Sequence, residues 1–321
     1  MFCATGHLSL HDAENAAKIL GTADDPKGGG QDHLDGAPIH GTTHMSQFTP
    51  LCLDVFGAAW FQRGSLSVHF LRMVSHLMPI QAHIRRPEPG QTQVDCWITF
   101  EDGELVLQGT ASCGERRAED GPSMVEQRLA KVVAPPNPQH LRILRGMVAG
   151  DVTTPEPIEV CVRDLDMDLR ELGHGTFPYP MREKLKIITE PHPWFEGQEA
   201  DEPRPWDDRR PILPPESAHS ILYPQGRSAN HEHNDALGLL GGCELRMIDG
   251  PVFVGQKYLL DCSILAVGET PRTEFYWTRS VLRDPSREGA PVVAEMDLQS
   301  MSMKNSSELY ADELGKPPAK L

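Results

Sequence analysis

The chain has no apolar run of about 18 residues, the length that a transmembrane helix requires, and its mean hydropathy is −0.39. Its first twelve residues have neither a basic start nor an apolar core, so they do not resemble a signal peptide, and a cytoplasmic location is expected. Basic residues are scarce: 30 Lys and Arg against 46 Asp and Glu give a net charge of −16. Such an acidic chain disfavours nucleic acid and anionic membranes as partners.

Several motifs are also missing. The seven cysteines are odd in number and widely spaced, and none forms a CxxC pair, so we expect reduced thiols rather than disulfides or a zinc knuckle. No glycine-rich phosphate loop and no GxSxG nucleophile elbow are present. No HExxH metal motif occurs either. Dinucleotide-dependent chemistry, serine-hydrolase chemistry and a resident metal are therefore not expected.

The length of 321 residues fits two domains better than one. Clusters of proline and glycine divide the chain at 22–37, at 134–138 and at 196–216, and the last of these is predicted to be an exposed connector. We predict an N-terminal unit over 1–135. A linker segment and a C-terminal unit are predicted over 136–321.

Helical spacing of apolar residues predicts a helix over 42–61. The alternation of Leu66, Val68 and Phe70 then predicts a half-buried strand. Two further strands, 93–101 and 104–113, are joined at Asp102-Gly103, a strong hairpin signal.

The end of the chain repeats this order. A short helix is predicted over 229–241, followed by strands within 242–269 that break at Gly250-Pro251. Strands over 273–282 and 291–301 complete the block. A helix followed by an antiparallel meander of four strands thus occurs twice, and each helix is expected to pack on one face of its sheet.

This organisation resembles the MaoC-like acyl-thioester dehydratases and hydratases. The resemblance is carried by Pro38-Ile39-His40-Gly41 ahead of the first helix, by the strand LSVHFLRMV over 66–74, and by a similar second copy. It implies an α+β double hotdog fold, in which two antiparallel sheets, each wrapped round a central helix, are fused in one chain. The block 140–195 is not explained by the resemblance, although 182–189 could supply the first strand of the second copy.

The resemblance implies that an acyl thioester binds beside the helix that starts at Gly41. The backbone N–H of Gly41 would then polarise the thioester carbonyl, since the first N–H groups of a helix lack intrahelical partners. Gly41 could equally be an ordinary helix-entry glycine. His40 and His44 share a helix face if both are helical, and each could act in the site. His40 could instead only cap the helix, and a metal pair would need a third ligand.

His11 is the candidate general base that the resemblance implies. The family's segment has the form Asp-x-Asn-Pro-x-His, whereas here only His11-Asp12 and the alanines and glycine after it remain, and Gly6 stands where the aspartate is expected. His7, Asp12 or an acid from elsewhere could replace the aspartate, or the reaction could differ from simple hydration. The alternative is an amphipathic helix with solvated polar residues.

The second copy offers a polar segment over 226–235, in which His231 and Asp235 are candidates to complete the site. The same segment could instead be a solvated helix face with an N-cap. Arg85 and Arg86 could hold the phosphates of coenzyme A or phosphopantetheine, or could simply be surface charge.

The expected activity is the addition or removal of water at the α,β position of an acyl thioester, with no redox cofactor. One alternative is a hotdog thioesterase, which would need a carboxylate such as Asp54 or Asp35 near the helix start. Another is a non-catalytic acyl-binding protein. A homodimer is also plausible, because sheet edges need covering.

Overall fold

The architecture is taken from a computed structural model, which describes residues 41–74, 78–133, 140–160, 192–200, 203–222 and 236–314. The described strands form one antiparallel sheet of nine strands, with helices on both faces. The predicted α+β double hotdog fold is confirmed, with one difference. The two expected sheets join edge to edge into one.

The helix predicted over 42–61 is divided into three pieces. These are α1 (Gly41–Ser46), α2 (Phe48–Phe56) and α3 (Trp60–Arg63). Pro50 explains the first break, because proline has no N–H for the carbonyl of Ser46 and its ring crowds that carbonyl. Gly57, with φ of +69°, ends α2 in a conformation that other residues rarely adopt.

The strands follow in two sets. The first set is β1 (Gly64–Phe70), β2 (Ile80–Ile84), β3 (Gln93–Phe100) and β4 (Leu105–Cys113). The second is β6 (Gly238–Met247), β7 (Gln256–Glu269), β8 (Thr273–Arg283) and β9 (Val292–Met303), preceded by a short β5 (Glu156–Val160). The spatial order is β2-β3-β4-β1-β6-β9-β8-β7-β5. Outward from the β1–β6 pair, the strands of each set lie in the order first, fourth, third, second. The first strand of each set therefore pairs with the fourth, so the predicted simple meander is wrong at this strand, and the two units share one topology.

The two units are joined by antiparallel pairing of β1 with β6. Leu66 lies opposite Leu245, and Val68 lies opposite Cys243. All four side chains are buried in one continuous hydrophobic cluster that spans both units. Because side chains alternate along a strand, the residues between them point to the other face of the sheet. The sheet therefore has an inner face that packs on α1–α3 and an outer face with different chemistry.

On the outer face of this junction, a buried carboxylate binds groups from both units. Glu244 of β6 accepts hydrogen bonds from Ser67 of β1 (3.0 Å) and from Ser123 (2.5 Å), and it pairs with Arg246 (3.0 Å). Ser123 is also the N-cap of α4 (Met124–Leu129), which lies across the outer face. Glu244 thus ties together a strand from each unit and the helix that covers them.

The block that the resemblance leaves unexplained supports the second unit. Strand β5 pairs with β7 and extends the sheet. Upstream of it, the backbone N–H groups of Arg142, Ile143 and Leu144 donate to the carboxylate of Glu274, which is fully buried on β8. Tyr310 donates to the same carboxylate at 2.5 Å. The segment predicted as a first strand, 182–189, lies outside the described residues.

The prediction of a helix over 229–241 is wrong for the residues of this range that the structure describes. Residues 238–241 belong to β6, because Leu239 and Leu240 continue its pairing with β9 beyond a bulge at Gly241. Residues 229–235 lie outside the described part of the chain. The described helix ahead of β6 is α5 (Pro215–Leu222), which packs against α1.

The connector predicted as exposed over 196–216 is only partly exposed. Ile212 and Leu213 are buried, and a 3₁₀ turn at Pro193–Glu196 places Trp194 and Phe195 in the core. Phe61 of α3 is the centre of this contact, with ring centroids 5.9 Å from Trp194 and 6.3 Å from Trp206. Aromatic burial thus outweighs the polar, proline-rich composition of the segment. The boundary predicted at 135/136 falls within 134–139, outside the described residues.

We predict that Glu244→Ala lowers the free energy of unfolding by about 3 kcal/mol, because it leaves the partly buried Arg246 without one of its counter-charges and the hydroxyls of Ser67 and Ser123 without this acceptor. Urea denaturation followed by circular dichroism measures this. The control is Glu104→Ala, which breaks an exposed pair with Arg72 and should cost less than about 1 kcal/mol. Equal losses in the two variants would contradict the importance of the junction.

Candidate functional site

The start of α1 lies where the two units meet on the inner face. A Cβ atom placed on Gly41 would lie 3.0 Å from the ring of Phe70, at the end of β1, and 3.3 Å from Cδ1 of Leu240 in β6. The backbone at Gly41 is therefore approached closely by one apolar side chain from each unit. Apolar surroundings strengthen hydrogen bonds donated by backbone N–H groups, because water does not compete for them.

His44 lies one turn further along α1 and points into the core, with an exposed fraction of 3%. Burial lowers the pKa of His44 from 6.5 to about 4, so the imidazole is neutral at pH 7. Its Nδ1 atom has no hydrogen-bond partner among the described residues. A neutral imidazole in this position can donate or accept a hydrogen bond, but it carries no charge to offer an anion.

His69 lies on the opposite face of the sheet from Phe70. Its Nδ1 is 2.6 Å from the carbonyl oxygen of Gly241, and its Nε2 is 2.8 Å from a guanidinium nitrogen of Arg128. Burial lowers the pKa of His69, and the charge of Arg128 lowers it further, against the opposing effect of the hydrogen bond to Gly241. Both ring nitrogens of His69 are thus engaged on the outer face.

Four of the predicted catalytic residues, His11, His40, His231 and Asp235, lie outside the described residues, as does Asp35. Their roles stay predictions. The structure places Gly41 at the junction of the units and His44 beneath it in the core.

The predicted phosphate contacts lie on the surface. Arg86 pairs with Asp54 at 2.6 Å, and each side chain is more than half exposed. Arg85 lies 3.5 Å from Asp95, and its guanidinium lies 5.9 Å from the ring centre of Trp97. Each cation therefore already has an acidic neighbour, and the role of the pair in phosphate binding stays a prediction. Asp54 is a surface residue here and does not line an apolar site.

The described residues contain no group of three or more His, Cys, Asp or Glu placed to hold a metal ion. Burial raises the pKa of the thiols of Cys52, Cys96 and Cys243, so these cysteines are protonated. None of the helices that the structure describes is long and apolar enough to cross a bilayer.

Sequence reasoning did not single out Leu240, Gly241 or Arg128. The paired glycines Gly241 and Gly242 in an apolar stretch were the available signal, since a glycine inside a strand pattern often marks a bulge. Arg128 carries no motif, and its proximity to His69 follows only from the fold.

No protein-family model matches this sequence. No curated protein matches it either. Solved structures do. A protein from Chloroflexus aurantiacus described as a MaoC domain dehydratase matches with a TM-score of 0.51 at 14% identity, covering 94% of this chain and 95% of its own. A Mycobacterium tuberculosis protein with a double hotdog fold gives a TM-score of 0.51, also at 14% identity, and each chain is covered over 94%.

A weaker likeness is to the acyl-CoA thioesterase II TesB2 of Mycobacterium marinum, with a TM-score of 0.38 at 14% identity, covering 81% of this chain and 89% of that one. At 14% identity, the first two matches show a shared fold and do not select an activity. The expected likeness to MaoC-like double hotdog proteins is confirmed at that level.

We predict that the buried His44 makes the protein less stable in acid. Its folded pKa of about 4 lies below its ordinary value of 6.5, so the folded state binds fewer protons than the unfolded state between these values. The contribution of His44 is complete above pH 6.5 and is lost as the pH falls towards 4, by about 3 kcal/mol in total. In His44→Leu, urea denaturation at several pH values should show a correspondingly shallower loss of stability.

The control for this measurement is His140→Leu, since His140 is exposed. This variant should follow the wild-type pH profile. If the stability of His44→Leu falls with pH in parallel with that of the wild type, His44 does not cause the loss of stability in acid.

Proposed function

We propose that the chain is a MaoC-like enzyme that adds or removes water at the α,β position of an acyl thioester. The observation that supports this most directly is the position of Gly41. It starts a helix at the junction of two hotdog units, with Phe70 from one unit and Leu240 from the other against it. The thioester would be carried on coenzyme A or phosphopantetheine, and the reaction moves only water and protons, so no redox cofactor is required.

In this proposal the N–H of Gly41 donates to the thioester carbonyl oxygen. As the reaction forms an enolate, negative charge develops on that oxygen, and an N–H held beside apolar side chains stabilises this charge more than it stabilises the neutral carbonyl. Phe70 and Leu240 lie against one side of this backbone. The absence of a Cβ on Gly41 is what permits this close approach.

Proton transfer is assigned to His11 or His40. In hydration, one of them removes a proton from water as the oxygen adds to the β-carbon, and an acid delivers a proton to the α-carbon. His231 and Asp235 of the second unit are the candidates for that acid. His44 is neutral and buried, so we assign it to packing and hydrogen bonding beneath the site rather than to charge stabilisation.

A thioesterase is the alternative activity on the same fold. It requires a carboxylate as nucleophile or base near the helix start. Asp54, the candidate within the described residues, is exposed and paired with Arg86, which does not favour this alternative. A cytoplasmic location and a homodimer remain part of the proposal.

The test is an absorbance assay with short, medium and aromatic enoyl-CoA thioesters, which follows loss of the double bond and release of free thiol in parallel. We expect double-bond loss without thiol release, and a decrease of at least about a hundredfold in His11→Ala or His40→Ala, the usual contribution of a general acid or base. His140→Ala is the matched control, because that histidine is exposed, and it should retain full activity.

Thiol release in place of double-bond loss would show a thioesterase. Full activity in both histidine variants would remove these residues from the mechanism. No reaction with any thioester, in a protein whose circular dichroism spectrum shows it to be folded, would favour the non-catalytic acyl-binding alternative.

A second prediction concerns Gly41 itself. Gly41→Ala keeps the backbone N–H but places a Cβ 3.0 Å from Phe70 and 3.3 Å from Leu240, so the neighbours must shift by a few tenths of an ångström. We expect kcat to fall about tenfold, because small displacements of a bound reactant are costly. The control is Gly238→Ala in β6, where a Cβ meets no atom within 4 Å. Equal activity in the two variants would argue against a reacting group beside Gly41.

A further inference from the structure

The further inference concerns the contacts of His69, on the face of the sheet opposite the proposed site. Strand β6 contains a bulge, because its pairing with β9 shifts between Leu240 and Gly242 and leaves Gly241 as the extra residue. The carbonyl of Gly241 lies 2.6 Å from Nδ1 of His69 in β1. The bulge therefore presents a backbone acceptor to the neighbouring strand of the other unit.

The chemistry of Arg128 fixes which way these hydrogen bonds run. A guanidinium can only donate, so the His69 Nε2 atom, 2.8 Å away, must accept. The proton of the neutral imidazole then sits on Nδ1 and is donated to the Gly241 carbonyl. This tautomer is consistent with the lowered pKa of His69, which favours the neutral ring.

Two further features surround the bulge. Arg128 also donates to the side-chain oxygen of Gln299 in β9 at 3.4 Å. A Cβ on Gly241 would crowd that same oxygen and the sulfur of Met301, so a larger residue at the bulge would have to displace these side-chain ends. Hydrogen bonds thus connect four residues from four elements, which we name the bulge clamp: Arg128 of α4, His69 of β1, Gly241 of β6 and Gln299 of β9.

The bulge clamp is adjacent in sequence to both apolar neighbours of Gly41. His69 precedes Phe70, and Gly241 follows Leu240. Side chains alternate along a strand, so the clamp lies on the outer face while Phe70 reaches Gly41 on the inner face. The His69–Gly241 hydrogen bond thus sets the separation of the two strand ends from which Phe70 and Leu240 project.

We propose that His69, held by Arg128, is a positioning residue that determines which acyl chains the enzyme accepts. It does so by fixing the spacing of Phe70 and Leu240 through the Gly241 carbonyl. This inference rests on the proposed function, because it assumes that the acyl thioester binds beside Gly41. His69 itself faces away from the substrate and does not take part in proton transfer.

The test compares His69→Leu, which removes both hydrogen bonds, with His69→Gln, whose amide can still donate to Gly241 and accept from Arg128. We measure kcat and KM for enoyl-CoA thioesters of 4, 6, 8 and 10 carbons, chosen to span short and medium chains. His69→Leu should change the ratio of kcat/KM between the longest and shortest substrates by at least about fivefold, mainly through KM. His69→Gln should restore the wild-type ratio, and Arg128→Met should behave as His69→Leu does.

The matched control is His83→Leu, which removes another outer-face histidine, stacked on Trp97 with ring centroids 5.1 Å apart. It should leave the chain-length ratio unchanged. A purely structural role for His69 would lower kcat/KM for all chain lengths by one common factor, or lower only the melting temperature. Either result would overturn the proposal.

The outcomes also separate this inference from the proposed function. If the wild type turns over no enoyl-CoA, the proposed hydratase activity fails. The ratio of binding affinities for the longest and shortest chains is then measured by calorimetry with saturated acyl-CoA thioesters of the same lengths, in the wild type and in His69→Leu. An unchanged binding ratio, or no binding, overturns the role of His69 as well. Nitrogen-15 shifts of His69 that show a proton on Nε2 would contradict the hydrogen-bond arrangement itself.

Discussion

The pairing of β1 with β6 is the interaction on which the rest of this structure depends. It joins two sets of four antiparallel strands into one sheet, and it does so with different chemistry on each face. On the inner face, Leu66 and Leu245 join the two cores. On the outer face, Ser67 donates to the carboxylate of Glu244. A one-residue slip would exchange these faces and bury charge in the core, so the register is strongly specified.

The same pairing creates the candidate site, since neither unit forms it alone. Gly41 and Phe70 come from the first unit and Leu240 from the second. Phe70 lies at the end of β1 and Leu240 lies near the start of β6, and the bulge at Gly241 directly follows Leu240. The irregularity of the strand and the candidate site are therefore neighbours in the fold.

Most of the sheet could be predicted from the sequence, because alternation is a local signal. This signal correctly predicts the strands around Leu66–Phe70 and 273–282. The hairpin at Asp102-Gly103 is also correctly predicted. The bulge could not be predicted, since it is defined by pairing with a distant strand. The helix at Pro215–Leu222 was hidden in a proline-rich segment, and the burial of Trp194 depends on contact with Phe61.

For the candidate site, histidine spacing indicated which residues share a helix but not where they point. His44 enters the core because α1 packs between the sheet and α5, and that burial lowers its pKa. The strand position of His69 turns it to the outer face, where Arg128 meets it. A motif specifies a residue type, whereas the protonation state of that residue is set by neighbours from other elements. The surroundings of Gly41 therefore depend on contacts that link separate parts of the chain.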